Sequence, residues 1–266
     1  MVNALVARGH SVLAVARRAP AEPYWPASVT FTPLDVHDAA TDPVVALGVP
    51  EVLVHLAWPG LPNYRELFHV EQNLPDSYRF IKRMVAAGTK HVLVTGTCFE
   101  YGMQQGPLSE ELPTQPGNAY GLAKDTLRRF LQALQTQSPF VLQWARLFYL
   151  HGPGQAAGSV LAQLDRAIDA GESHFNMSGG EQLRDYLSVD EAVRYLAVLI
   201  ERPDFDGVVN CCSGRPISIR RLVEERITQR GAHIGLNLGH FPYTEHEPFA
   251  FWGVRNRLDQ LLGQAS

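Results

Sequence analysis

The chain has 266 residues, 45% of them hydrophobic, and a formal net charge of −4. That length and apolar content suffice for a large buried core, while the charge gives no electrostatic footing for nucleic acid or an anionic membrane surface. Three cysteines, two of them adjacent, offer no disulfide framework, which is the usage expected of a cytoplasmic protein, and the apolar runs are strand-length, too short to span a membrane.

In chain order, Met1–His10 reads as the second half of a helix capped by Gly9, and Ser11–Arg17 as the strand after it. A proline-rich surface loop runs from Ala19 to Pro26. An apolar strand follows at Val52-Leu53-Val54-His55-Leu56-Ala57, then a long helix at Val70–Ala87. The run His91-Val92-Leu93-Val94-Thr95-Gly96-Thr97 ends in small hydroxyl and glycine residues, as a buried parallel strand does at its carboxyl end. In open α/β sheets ligands bind at that end. Pro113, Pro116 and Gly117 break the chain before a second long helix, Ala119–Gln135. This alternation predicts an α/β fold, a Rossmann-like doubly wound parallel sheet through about residue 150. After Gly152 the pattern loosens, with helices at Ser159–Ala170, Val189–Glu201 and Ile219–Arg230 among short strands. The Val189 helix and the Val208–Cys211 strand are expected to return to the sheet.

Tyr120 and Lys124 stand one turn apart on the second long helix, on one face. A free tyrosine titrates near ~10, and a neighbouring ammonium favours the phenolate, so the pair is suited to carbonyl/alcohol proton transfer. Thr97, at the strand's carboxyl end, can place a hydroxyl beside that phenol. Tyr-x-x-x-Lys alone also occurs by chance on helix surfaces.

Taken in order, these segments resemble the extended short-chain dehydrogenase/reductase family of sugar-nucleotide epimerases, dehydratases and reductases. Asp35-Val36-His37-Asp38 is similar to its adenine-side turn, and Thr97 through Gly102 to its Ser/Thr-x-x-x-Tyr-Gly segment. Arg146 through Gly154 is similar to the segment after its sixth strand. Arg184 through Asp190 resembles its Arg-Asp-aromatic turn, and Asn210 through Gly214 its late strand.

The resemblance implies a dinucleotide-binding domain at 1–150 and a substrate-binding lobe at 151–266, interleaved with the sheet. Thr97, Tyr120 and Lys124 would be catalytic. NAD or NADP would be held by Arg17, Asp35, Val36, Leu56 and Ala57 together with Tyr120 and Lys124. Arg17 and Arg18 lean toward NADP(H), and a solvated arginine pair is the equal alternative. Cys98, Phe99, Tyr149, Arg184 and Glu247 would face a nucleotide-sugar substrate, with Arg184 gripping the diphosphate and pairing with Asp185 as its structural alternative. Buried packing is the alternative for Cys98, and an ion-paired core position for Arg146. His240, Glu245, His246 and Glu247 form a polar cluster with no metal spacing, so no metal is expected.

Departures from the family narrow the chemistry. Its glycine-rich turn and opening strand are not in this sequence, and about 15 residues are missing against the usual strand–turn–helix unit. A shortened start is the expectation, and a family member that has lost its cofactor turn and acts as a binding or regulatory protein is the alternative. Cys98 and Phe99 stand where the dehydratases carry Asp-Glu, which disfavours dehydration. The expected reaction is NAD(P)H-dependent reduction of a 4-keto-6-deoxyhexose nucleotide, with 4-epimerisation by the same triad as the alternative. The two long helices are expected to pair across a two-fold axis in a homodimer.

Overall fold

The computed structural model describes residues 1–19, 25–244 and 247–263. It opens with α1 (Val2–Ala7), β1 (Leu13–Ala16), β2 (Thr30–Pro33), α2 (Pro43–Leu47) and β3 (Val52–His55). A π-helical turn, His69–Asn73, leads into α3 (Leu74–Ala87), then β4 (His91–Thr97), a 3₁₀ turn at Cys98–Tyr101 and β5 (Gly106–Leu108). Next come α4 (Ala119–Gln135), β6 (Val141–Leu147), β7 (Tyr149–His151), α5 (Val160–Asp169) and β8 (His174–Asn176). β9 (Leu183–Ser188), α6 (Val189–Ile200), β10 (Gly207–Cys211), β11 (Pro216–Ser218) and α7 (Ile219–Gln229) follow. β12 (Gly235–Asn237), β13 (Phe251–Gly253) and α8 (Asn256–Gly263) close the order.

The main sheet is parallel, in the order β10-β6-β4-β3. β4 is its middle, and all seven of its residues are buried, because helices cover both faces. One face packs α3 and α4 through Ile81, Met84, Leu127 and Leu131 against Val92, Val94 and Trp144. The other packs α1, α6 and α8 through Leu5, Leu196, Leu199 and Leu258 against Leu93, Ala145 and Val209. The Val189 helix and the strand after it do return to the sheet. β1 and β2 pair with each other as a separate ladder, and β3 is an edge of the main sheet.

Local rules set the helix limits. Ser159, Ser188 and Ser218 are N-caps whose hydroxyls accept backbone N–H groups of the first turn, so α5 begins one residue after the sequence range, which included its cap, while α6 and α7 begin at Val189 and Ile219 as the sequence places them. The first turn expected of the Val70 helix is π-helical, a distortion that often accompanies functional sites. On α4, Leu127, Leu131 and Leu134 face inward, whereas Phe130 is turned outward with Leu122.

Smaller ladders build the second lobe. β7 pairs in parallel with β9, and β9 antiparallel with β11. β5 pairs with β13, and β8 with β12. The carboxyl ends of β4 and β6 and the start of β7 thus meet at one place, facing the N-terminus of α4.

Candidate active site

Thr97 is the last residue of β4 and caps the 3₁₀ turn that follows. Tyr120 is the second residue of α4, whose start is fixed by Asn118: its Oδ1 accepts the Gly121 N–H at 2.8 Å. Gly121 lets the helix come close, since a Cβ there would lie 2.7 Å from the Phe99 carbonyl oxygen. The Thr97 side chain is near enough to the Tyr120 phenol to favour its ionised form. Lys124, one turn on, donates from Nζ to the Thr95 carbonyl at 2.8 Å and sits 4.1 Å from the centre of the Trp58 ring. The three candidate catalytic residues are therefore together, and all are buried.

Their electrostatics differ from the sequence expectation. Burial is the largest influence on the Tyr120 phenol and holds it above its ordinary value, while the Thr97 side chain acts in the opposite direction. The expected lowering of the phenol by Lys124 is not what this geometry gives. Burial instead pushes Lys124 itself down to about 7, against the raising influence of Glu100.

The candidate cofactor residues lie along the carboxyl ends of β1, β2 and β3. Arg17 and Asp35 are exposed and follow β1 and β2, and Asp35 Oδ1 accepts the His37 N–H at 3.0 Å. Val36 packs on the α3 side of the core. Leu56 and Ala57 are exposed just beyond β3. Burial pushes His37 down, and the charges of Arg17 and Lys124 act in the same direction.

The candidate substrate residues divide. Tyr149 donates its hydroxyl to Glu247 Oε2 at 2.9 Å, and Arg184 donates to the same oxygen at 2.9 Å. The two line a cavity of about 160 Å³ with Gln182, Tyr186 and Phe249. Phe99 links that cavity to the triad, its ring 6.2 Å from Tyr149 and 6.3 Å from Tyr120. Cys98 is a correction: it is buried in a cluster with Tyr101, Phe148 and Cys212, and burial pushes its thiol up. Asp185 is not the partner of Arg184, because its oxygens take the N–H groups of Ser213, Gly214 and Gly253. Arg146 is indeed an ion-paired core residue, joined to Glu100 at 2.7 Å.

A larger cavity, about 640 Å³, lies between α5, α7 and residues 151–157. Asp165 and Arg226 on its wall already pair with each other, and it holds none of the candidate catalytic residues. Of the polar cluster, Glu245 and His246 lie outside the described residues, and His240 Nδ1 is near Asn237 Nδ2 at 3.3 Å.

With the Thr97–Tyr120–Lys124 arrangement at the carboxyl edge of a parallel sheet, comparison with known proteins is decisive. The model of the NAD dependent epimerase/dehydratase family matches residues 1–212. The chain belongs to that family. It is an enzyme of the extended short-chain dehydrogenase/reductase type, using NAD or NADP. Among curated relatives, dTDP-6-deoxy-L-talose 4-dehydrogenase (NAD(+)) of Aggregatibacter actinomycetemcomitans is 32% identical over 77% of this chain and 76% of its own. The NAD(P)(+) enzyme of the same name from Kitasatospora kifunensis is 30% identical over 85% of this chain and 74% of its own. Among solved structures, MoeE5 in complex with UDP-glucuronic acid and NAD superposes with a TM-score of 0.83 over 98% of this chain and 87% of that one, at 24% identity, a likeness of fold.

Several residues of this epimerase/dehydratase-family site escaped the sequence reading. Trp58, Tyr64 and His69 pack around the Tyr120 ring, with centroids 6.1, 5.6 and 5.3 Å away. Trp58 Nε1 donates to His69 Nδ1 at 3.0 Å. They come from the irregular segment between β3 and α3, where periodicity carries no signal. Glu100 was legible: a hydroxyl residue followed three positions later by Glu is the capping-box pattern.

Proposed function

We propose that the chain is a nucleotide-sugar oxidoreductase that reduces the C4 carbonyl of a 4-keto-6-deoxyhexose nucleotide with NAD(P)H. The observation that carries this reading is the gathering of Thr97, Tyr120 and Lys124, all buried, at the carboxyl end of β4, with Lys124 tied to the Thr95 carbonyl, at the edge of the sheet where the family's nicotinamide would lie. Both curated relatives are named as 4-dehydrogenases of dTDP-6-deoxy-L-talose, which is the same interconversion written as an oxidation.

In this reading Tyr120 gives its proton to the carbonyl oxygen, which is work for a phenol held protonated by burial. Thr97 hydrogen-bonds the same oxygen. Lys124 supports the phenol and meets the nicotinamide ribose. Arg184 takes the diphosphate, exchanging Glu247 for phosphate oxygens. The dinucleotide supplies the hydride when bound. The described residues fit its two ends: Arg17 and Asp35 at one, Tyr120 and Lys124 at the other. His55 Nε2, buried at the end of β3, has no hydrogen-bond partner among the described residues. The lobe after residue 150 would carry the substrate, and residues 1–150 the cofactor.

We also propose that the protein works in the cytoplasm, as a homodimer. Cys98, Cys211 and Cys212 are free thiols, and no helix among the described residues is long and apolar enough to cross a membrane. Leu122 and Phe130 leave α4 with apolar surface to cover.

The test is turnover of dTDP-6-deoxy-L-talose with NAD or NADP, followed by the absorbance of the reduced nicotinamide. Stoichiometric cofactor reduction is the expected result. Conversion to a C4 epimer with no net cofactor change would replace the reductase reading with the epimerase one.

A further inference from the structure

Beneath the triad lies a carboxylate that the proposed chemistry does not use. Glu100 is 0% exposed. Its Oε1 accepts the Thr97 N–H at 2.8 Å and the Trp144 Nε1–H at 2.9 Å, and its Oε2 accepts Arg146 Nε–H at 2.7 Å. Thr97 answers by accepting the Phe99 N–H at 3.3 Å, which closes a capping box around the catalytic candidate. The strand is shaped for this seat: a Cβ at Gly96 would collide with Trp144 Nε1 and Glu100 Oε1. Burying a carboxylate and its arginine is weak evidence for stability, because well-packed apolar residues commonly do as well. The arrangement therefore calls for a role beyond holding the fold.

We propose that Glu100 is a positioning residue of the triad, which clamps the end of β4 so that the Thr97 hydroxyl meets the Tyr120 phenol and sets a fixed negative charge near Lys124. The proposal rests on the triad reading given above.

The charges around it support this assignment. Arg146 from β6 and Arg128 from α4 face the carboxylate, the latter at 4.0 Å, and Cys98 and Tyr101 flank it on its own turn. The Lys124 charge also acts on His37, His55 and His69, all of which are pushed down, mainly by burial. Glu100 is the charge that opposes burial at Lys124, and it raises the Tyr120 phenol as well. Removing it lowers both groups.

Two variants of the full chain separate position from charge. Glu100→Gln keeps the size and removes the charge, and Glu100→Asp keeps the charge but withdraws it from the Thr97 amide. With dTDP-6-deoxy-L-talose and NAD, both should lose roughly 10- to 100-fold in kcat at little-changed KM, the scale of a small misplacement of catalytic groups. The pH limb of kcat should move to lower pH in Glu100→Gln and stay in place in Glu100→Asp. Thr97→Val should cost less in the Glu100→Gln background than in the wild type, because the two act as a unit. Wild-type kcat with an unmoved pH limb in a folded Glu100→Gln protein overturns the proposal, and so do additive losses with Thr97→Val. If Glu100→Gln does not fold, Glu100→Asp decides: reduced kcat at unchanged KM supports the proposal, and wild-type kcat overturns it. A fully active Tyr120→Phe overturns the triad reading and the proposal with it. An inactive Tyr120→Phe beside a fully active Glu100→Gln overturns the proposal alone.

Discussion

The Lys124 ammonium donates to the Thr95 carbonyl at 2.8 Å, two residues before Thr97 on the same strand. Helix α4 is thus tied to β4 at the level of the chemistry. The tie places a cation in a site where burial opposes it, which is a cost to the fold accepted for the sake of the site.

That cost is measurable. Burial lowers Lys124 to about 7 from its ordinary 10.5. Between those values the folded chain holds a neutral amine while the unfolded chain binds a proton, so stability rises with pH across that window, and below it the penalty is complete. Lys124→Met should therefore stabilise the fold near neutral pH by something on the order of 3 kcal/mol, while removing turnover. Urea unfolding checks this. The gain should shrink as pH rises toward the ordinary lysine value, and a gain that does not vary with pH would refute the account.

Tyr120→Phe deletes the proposed proton donor and little else, since its ring contacts with Tyr64, His69 and Phe99 remain. Turnover should fall by ~10²–10⁴, the usual scale of general acid–base help, with an unchanged circular dichroism spectrum. Near-normal kcat would remove Tyr120 from the role.

Gly121 tests the helix–strand approach. An alanine Cβ would lie 2.7 Å from the Phe99 carbonyl oxygen, on backbone that cannot give way cheaply. Gly121→Ala should push the start of α4 away from the turn and move Tyr120 with it. The expected result is about a ten-fold or greater loss of kcat together with a lower Tm. A variant with unaltered kcat and Tm would show that the gap is slack.

Arg184 is held by Glu247 and by the carbonyls of Leu183 and Phe249, with Phe251 under its guanidinium at 4.8 Å. A flat fork in a fixed place suits a diphosphate, and a lysine cannot reproduce it. Arg184→Lys should raise KM for the nucleotide sugar roughly ten-fold or more and leave kcat nearly unchanged, because the contact is remote from C4. A loss confined to kcat would contradict that assignment.

Much of this site was legible because it sits on regular elements. The strand at His91–Thr97 and the helix at Ala119–Gln135 announce themselves by an apolar run and by helical spacing, which put Thr97 at a strand end and Tyr120 and Lys124 on one helix face, while the family resemblance joined the three as a triad. The polar pairs were harder to read, since Arg184 and Glu247 are 63 positions apart and meet only when the lobe folds. Trp58, Tyr64 and His69 arrive on irregular backbone that no period describes. The direction of the Tyr120 shift was misread for a related reason: spacing locates a neighbouring charge, but the depth of burial, which dominates here, is a tertiary property.

The outward face of α4 supplies the last expectation. Leu122 and Phe130 are 46% and 45% exposed, and Phe130 meets Tyr78 of α3 edge-on at 5.4 Å, so the apolar patch spans both helices. In the proposed homodimer a second copy presenting the same patch would cover it across a two-fold axis, and a stable interface of this kind buries about 1,200–2,000 Å². Phe130 is not needed for the core, whose α4 side is filled by Leu127, Leu131 and Leu134. The double variant Leu122→Glu, Phe130→Glu should therefore keep its fold and separate into monomers. Light scattering at micromolar concentration checks this, with a dimer expected for the wild type and a monomer for the variant. A wild-type chain that is monomeric under those conditions would show that the patch has another use.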